Sequence, residues 1–156
     1  MGGRGVKSGI LHINSRISYH GKPNVITMTS AAGLNKRQQR ILDNLKNKGD
    51  YIKIKKSDAS MKDLAALTAK ENVEFSMFTL GSRRIIIRGN NNNSSPSVKL
   101  SKEILKYHYK LSGHTHTGIN TIDLFESKGD IYTLKSLSQK QSVIYNSAGK
   151  FRKFKS

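Results

Sequence analysis

The segment SGHTHTG, residues 112–118, holds two histidines that are two positions apart and are flanked by small residues. On a β-strand, residues i and i+2 point to the same face. His114 and His116 therefore present their imidazoles side by side, with backbone positions about 6–7 Å apart. Two neutral imidazole nitrogens in this arrangement can bind one Zn²⁺, and Gly113 and Gly118 leave room around the pair. The segment predicts a short strand that ends at a metal site.

A third metal ligand is expected downstream of the histidine pair, where the candidate carboxylates are Asp123, Glu126 and Asp130. Asp130 lies in SKGD, residues 127–130, and Ser-x-x-Asp is also typical of a capping box at the start of a helix. The two interpretations are compatible, because Ser127 can cap the helix while Asp130 turns toward the histidines. A site of two histidines and one aspartate would leave a fourth position for water.

Composition restricts both the metal and the partner. The chain lacks cysteine, so a metal must be held by histidine and carboxylate, and the fold cannot use a disulfide. Lysine and arginine number 28 against 10 aspartates and glutamates, which gives a formal net charge of +18 and a pI near 10.3. A domain this basic attracts polyanions, and nucleic acid is the expected partner. The excess of lysine over arginine favours non-specific contact with phosphates over base reading.

Neither a membrane span nor a secretion signal is predicted. The sequence contains no run of 18 apolar residues. Its glycine- and lysine-rich beginning lacks the apolar stretch of a signal peptide. We therefore expect no membrane partner.

The pattern of apolar residues predicts a flexible segment followed by one domain. Residues 1–33 are basic and rich in small residues, which is typical of a flexible tail, with one short strand over residues 24–28. Residues 34–156 alternate between helical and strand patterns, and the polar stretch 89–97 is the best candidate for disorder inside the domain. Helices are predicted over 34–48, 60–70, 99–110 and 127–137, and strands over 51–56, 73–80, 85–88, 111–116, 141–146 and 150–154. This order predicts an α/β fold with a single mixed sheet flanked by helices.

Several motifs occur in an order that is typical of a known family. Glu74 precedes a Leu-Gly turn, His114-Thr-His116 follows at the end of a predicted strand, and Ser127-x-x-Asp130 opens a predicted helix. In this order the chain resembles the JAB/MPN metalloproteases, also called JAMM, which have a layered architecture similar to that of the cytidine deaminases. The resemblance implies this α/β architecture for the chain.

The resemblance covers residues 71–154 and implies a role for each motif. It implies three zinc ligands: His114, His116 and Asp130. It further implies that Glu74 is the general base on a zinc-bound water and that Ser127 holds the developing oxyanion, in a peptidase or isopeptidase. The chain departs from the family pattern at Thr117, where the family has proline, and in a longer loop before Ser127.

A second resemblance concerns the biological setting. Residues 63–90, the histidine and SKGD segments, and residues 139–150 resemble a domain encoded among the head genes of tailed phages of Gram-positive bacteria. The GGRG motif at residues 2–5 is often present there as well. The resemblance implies a phage-encoded, virion-associated protein, located in the virion or in the host cytoplasm, with a head protein as a further partner.

Other functions remain open at this point. The chain could be a minor head protein that binds DNA or capsid, with a structural or vestigial metal site. It could also be a metal-dependent nuclease or toxin, because a basic surface suits a phosphodiester substrate better than a peptide.

Overall fold

The computed structural model describes Leu11, Ile13 and residues 33–156, and in them it confirms an α/β fold with one mixed sheet of six strands. The helices are α1 (Lys36–Asp43), α2 (Met61–Glu71), α3 (Val98–Lys106) and α4 (Lys128–Ser136). The strands are β1 (Tyr51–Lys55), β2 (Phe75–Leu80), β3 (Arg83–Arg88), β4 (Lys110–Thr115), β5 (Gln141–Tyr145) and β6 (Phe151–Lys155). Short 3₁₀ helices occur at Lys56–Asp58 and Thr121–Leu124.

The strands lie in the order β1-β3-β2-β4-β5-β6. All neighbouring pairs are antiparallel except β4 and β5, which are parallel. Helix α4 is the crossover between these two parallel strands, so the carboxyl ends of both strands lie at the same end of the sheet. In open α/β sheets, ligand sites form at that end.

Helices cover both faces of the sheet, because its central strands are apolar on both sides. In β3, Ile86 packs in a cluster with α1 and α2 on one face. Its neighbours Ile85 and Ile87 pack on the other face, in a cluster that includes Ile104 of α3 and Leu134 of α4. Burial of both faces therefore explains the unbroken run of three isoleucines at residues 85–87.

Capping boxes start three of the helices. In α1, α2 and α4, the N-cap side chain and the side chain three residues later bond reciprocally to backbone N–H groups. The predicted helix 34–48 ends earlier than expected, at Asp43. The Asp50 carboxylate explains this, because it accepts hydrogen bonds from the N–H groups of Lys46 and Asn47 and stabilises a turn there.

Two residues of the segment predicted to be a flexible tail lie in the core. Leu11 and Ile13 are fully buried in the cluster under α3 and α4. Ile13 also exchanges hydrogen bonds with residues 94 and 95 of the polar stretch 89–97. That stretch was expected to be disordered and is instead part of the fold, with Ser94 buried. The strand predicted over residues 24–28 lies outside the described residues, and the domain boundary at residue 33 remains a prediction.

Within the part of the chain that the structure describes, the helices are too short and too polar to cross a membrane.

Candidate metal centre

The two histidines lie at the carboxyl end of the parallel strand pair. His114 is in β4 and pairs with Ile144 of β5. His116 follows the strand directly, and its N–H donates a hydrogen bond of 2.9 Å to the carbonyl of Tyr145. The sheet therefore fixes the backbone of both histidines, which agrees with the strand predicted for residues 111–116.

A bulge in β4 determines which face the histidines occupy. Leu111 and Gly113 pair with consecutive residues of β2, so that Ser112 is an extra residue in β4. The bulge brings Leu111 and His114, which are three positions apart, to the same face. There the His114 ring meets Phe154 edge-on, with ring centroids 5.8 Å apart. Strict alternation would have put His114 on the opposite face from Leu111.

Three ligand atoms converge on that face. The Nε2 atoms of His114 and His116 are 3.2 Å apart. Asp130 Oδ1 lies 3.2 Å from the Nε2 atom of His114, and Asp130 Oδ2 lies 3.7 Å from the Nε2 atom of His116. Adjacent ligands of tetrahedral zinc, with bonds of about 2.0–2.1 Å, are separated by about 3.3 Å. The three buried side chains therefore form a group that could hold a metal ion.

Hydrogen bonding orients the His116 ring toward the centre of this group. His116 Nδ1 donates to the backbone carbonyl of Asp123 at 2.8 Å, so a neutral His116 turns the lone pair of Nε2 toward the centre. Burial alone would raise the pKa of Asp130, but the two neighbouring imidazoles outweigh burial and hold that pKa well below its usual range. Lone pairs and a carboxylate at such distances repel each other unless a proton or a metal ion lies between them.

Asp130 combines the capping role that the sequence suggested with a position beside the two histidines. Its Oδ2 accepts a hydrogen bond of 2.9 Å from the N–H of Ser127, and its own N–H donates to Ser127 Oγ at 3.1 Å. This reciprocal pair is the capping box of α4. The same carboxylate is turned toward the histidines, because the first turn of α4 lies at the end of the sheet where β4 stops.

The other two candidate carboxylates have different tasks. The Asp123 carboxylate accepts a hydrogen bond of 2.9 Å from the N–H of Asn120 and so stabilises the 3₁₀ turn in the loop after the histidines. Glu126 forms an ion pair with Arg152 of β6. The contribution of Asp123 to the site is its backbone carbonyl, which fixes the His116 ring. No sequence pattern indicated that contact.

The strand register locates Glu74, and the capping box of α4 locates Ser127, relative to the three converging side chains. Ser76 of β2 pairs with His114, and extending this register by two residues brings Glu74 level with His116 on the same face. Glu74 is fully buried. Among the described residues, only His114, His116 and Asp130 have ligand atoms that all lie within 4.8 Å of one another, so Glu74 is outside this group. Ser127 is held at the start of α4 by the capping box.

The two glycines near the histidines have roles in packing. A Cβ atom at Gly113 would lie 2.9 Å from Met61 Sδ and from Val143 Cγ2, so this glycine allows α2 to approach the opposite face of β4. At Gly118, where φ is +99°, a Cβ atom would lie 2.4 Å from the Asp123 carboxylate. The expectation that these glycines leave room around the imidazoles is therefore wrong.

Comparison of the chain with protein-family models, with curated proteins and with solved structures found no match.

Proposed function

We propose that His114, His116 and Asp130 bind one Zn²⁺ and that the site is a hydrolytic centre of the JAB/MPN type. The observation that supports the metal most strongly is the convergence of three buried ligand groups, in which His114 Nε2 lies 3.2 Å from both His116 Nε2 and Asp130 Oδ1, close to the edge of a zinc tetrahedron. The absence of cysteine from the chain is consistent with a ligand set of imidazole and carboxylate. Three protein ligands, and not four, are typical of catalytic zinc sites.

Each neighbouring residue has a definite task in this proposal. Zinc supplies a Lewis acid that lowers the pKa of a coordinated water toward about 7. Glu74 takes the proton from the attacking water and delivers it to the leaving group, which requires a carboxylate near but not on the metal. The Ser127 oxygen already accepts a hydrogen bond from the N–H of Asp130, so its hydroxyl hydrogen is available to donate a hydrogen bond to the developing oxyanion. The expected substrate is an amide, in a peptide or an isopeptide.

The test is hydrolysis by zinc-loaded protein with Glu74→Gln as the base-deficient variant. Peptide and isopeptide libraries would be screened together with an oligonucleotide. Glu74→Gln should bind zinc normally and lose at least about 100-fold in turnover. Glu103→Gln is the matched control, since Glu103 pairs with Lys53 on the surface and should not affect turnover. Unchanged turnover in Glu74→Gln would contradict the assignment of the base.

A second candidate function is a structural metal site in a binding protein. Its support is burial, because His114, His116 and Asp130 are each at most 1% exposed. In that case zinc would bind, its removal by a chelator would lower the thermal stability, and neither an amide nor a phosphodiester would be hydrolysed. Hydrolysis of the oligonucleotide alone, abolished in His116→Ala, would instead support a nuclease or toxin.

The proposed setting is a phage particle, and its support is the resemblance to phage head genes. Mass spectrometry of purified particles would test it. Recovery of this chain in stoichiometric amounts with capsid protein is the expected result. Its absence from particles but presence in the infected cell would contradict a role in the virion.

A further inference from the structure

A basic cleft lies at the end of the sheet opposite the metal centre. The metal centre is level with Ser76 near the start of β2, whereas the cleft includes Ser82, in the turn after that strand. The four residues of extended chain from Ser76 to Leu80 separate the two ends by about 13 Å. The cleft has a volume of about 800 Å³, which is far more than one small anion fills.

The described residues that line the cleft carry an excess of positive charge. Four are cationic, and one carries a carboxylate: Arg37, Lys55, Lys56 and Arg84 against Asp63. Both lysines are exposed. Serine hydroxyls, including those of Ser57 and Ser82, add uncharged donors to the same surface.

The two arginines of the cleft are held in place by the fold. Arg84 Nε donates to Thr79 Oγ1 at 3.1 Å, and its Nη1 donates to the carbonyls of Lys56 and Ala59. Arg37 Nη2 contacts the Asp63 carboxylate at 2.5 Å, while 46% of the Arg37 side chain remains exposed. The charges are therefore positioned before any ligand arrives, which reduces the entropy cost of binding.

A second hollow adjoins the cleft at Arg37. Arg37 also lines this smaller cavity of about 280 Å³, to which Arg40 of α1 contributes another cation and Asp58 contributes a carboxylate. The two adjoining hollows, here called the groove, thus present a row of five cationic side chains against the carboxylates of Asp58 and Asp63. Such a row fits a chain of phosphates better than it fits an isolated phosphate.

We propose that this groove binds the phosphate backbone of a nucleic-acid strand. No aromatic side chain is among the described residues that line the cleft, so stacking with bases is not supported and binding should be independent of sequence. The exposed large hydrophobic residues of the described chain lie elsewhere, which argues against insertion into a lipid surface. The groove goes beyond the proposed hydrolase and does not depend on zinc, because it shares no residue with the metal centre.

The test compares two variants that remove the same charge from opposite edges of the sheet. Lys55→Gln/Lys56→Gln alters the groove beside the edge strand β1. Lys153→Gln/Lys155→Gln is the matched control on the other edge strand, β6, where both lysines are exposed. Binding of a fluorescein-labelled oligothymidylate would be followed by fluorescence anisotropy as a function of salt, with circular dichroism to verify the fold.

The groove variant Lys55→Gln/Lys56→Gln loses two phosphate contacts. Its affinity for the oligothymidylate should fall by about 25-fold at about 0.1 M NaCl, and its plot of log K against log salt should become less steep by about 1.4. The control should lose under about threefold, since long-range attraction changes equally in both variants. Equal losses in the two variants would overturn the groove and indicate diffuse attraction. The same binding in His116→Ala would show that failure of the zinc site leaves the groove unaffected.

Two further arms identify the source of the phosphate. Phosphatidylglycerol vesicles should not distinguish the groove variant from the control. A selective loss of vesicle binding in the groove variant would overturn the choice of nucleic acid. Inorganic phosphate at constant ionic strength should not displace the oligonucleotide; displacement at millimolar concentration would show a site for one free phosphate and would overturn the assignment to a strand.

Discussion

Asp130→Asn separates the two tasks of Asp130. In the wild-type protein, one carboxylate oxygen accepts the N–H of Ser127 and the other lies 3.2 Å from His114 Nε2. Asparagine keeps one carbonyl oxygen, so it can still cap α4. Its other group is a neutral NH₂, which cannot replace the anionic oxygen as a metal ligand. Ser127→Ala has the opposite effect, because it removes the cap and leaves the metal ligand.

The expected magnitudes follow from linkage. Free zinc at 100 times the dissociation constant stabilises the folded state by about 2.7 kcal/mol. In a chain of this length, that corresponds to a rise in Tm of about 5–11 °C. If Asp130→Asn weakens zinc binding by about 100-fold, the same zinc concentration contributes only about 0.4 kcal/mol, a rise of under about 2 °C. Ser127→Ala should lose about 1 kcal/mol with and without zinc, and its zinc-dependent rise should remain.

The assay is thermal unfolding of chelator-stripped protein, titrated with zinc and followed by circular dichroism. Three proteins would be compared: wild type, Asp130→Asn and Ser127→Ala. A full zinc-dependent rise in Asp130→Asn would refute the role of Asp130 as a ligand. Loss of that rise in Ser127→Ala would refute the separation of capping from metal binding.

Two further predictions concern the fold. Asp63→Asn should destabilise the domain by about 1–3 kcal/mol in urea unfolding, because the carboxylate accepts bonds from Arg37 and Gln38 and so ties α1 to α2. Burial raises the pKa of Asp63, but the bonds from Gln38 and Arg37 outweigh it and lower that pKa. The stabilisation is therefore complete above the unfolded value of about 3.9 and is lost as pH falls through the lower folded value, so that the substitution should matter less in acid than at neutral pH. Leu11→Ala should cost about 2–5 kcal/mol, since Leu11 is fully buried; a cost below about 0.5 kcal/mol would show that the segment is not part of the core.

The order of the elements could be predicted because local chemistry determines it. Period-two alternation in YIKIK predicts β1, and Ser-x-x-Asp motifs predict the starts of α2 and α4. The histidine spacing predicted two imidazoles on one face. Each of these features depends on residues that are only a few positions apart in the sequence.

The features that could not be predicted depend on residues far apart in the sequence. The extra residue Ser112 is visible only in the pairing of β4 with β2, and it determines which face His114 occupies. Burial of Leu11 and Ile13 results from contacts with residues more than 80 positions away. Their alternation in the sequence was a signal, but the flanking glycine and basic residues suggested a tail.

Metal content tests the central claim most directly. Zinc per chain would be measured by mass spectrometry on protein purified without a histidine tag and supplied with zinc. His116→Ala is the test variant, and His108→Asn is the control, since His108 is an exposed histidine at a positive φ that asparagine tolerates. We predict about one zinc per chain in wild type and in the control, and none in His116→Ala. No zinc above background in the wild-type protein, or equal zinc in all three proteins, would contradict a metal site at His114, His116 and Asp130.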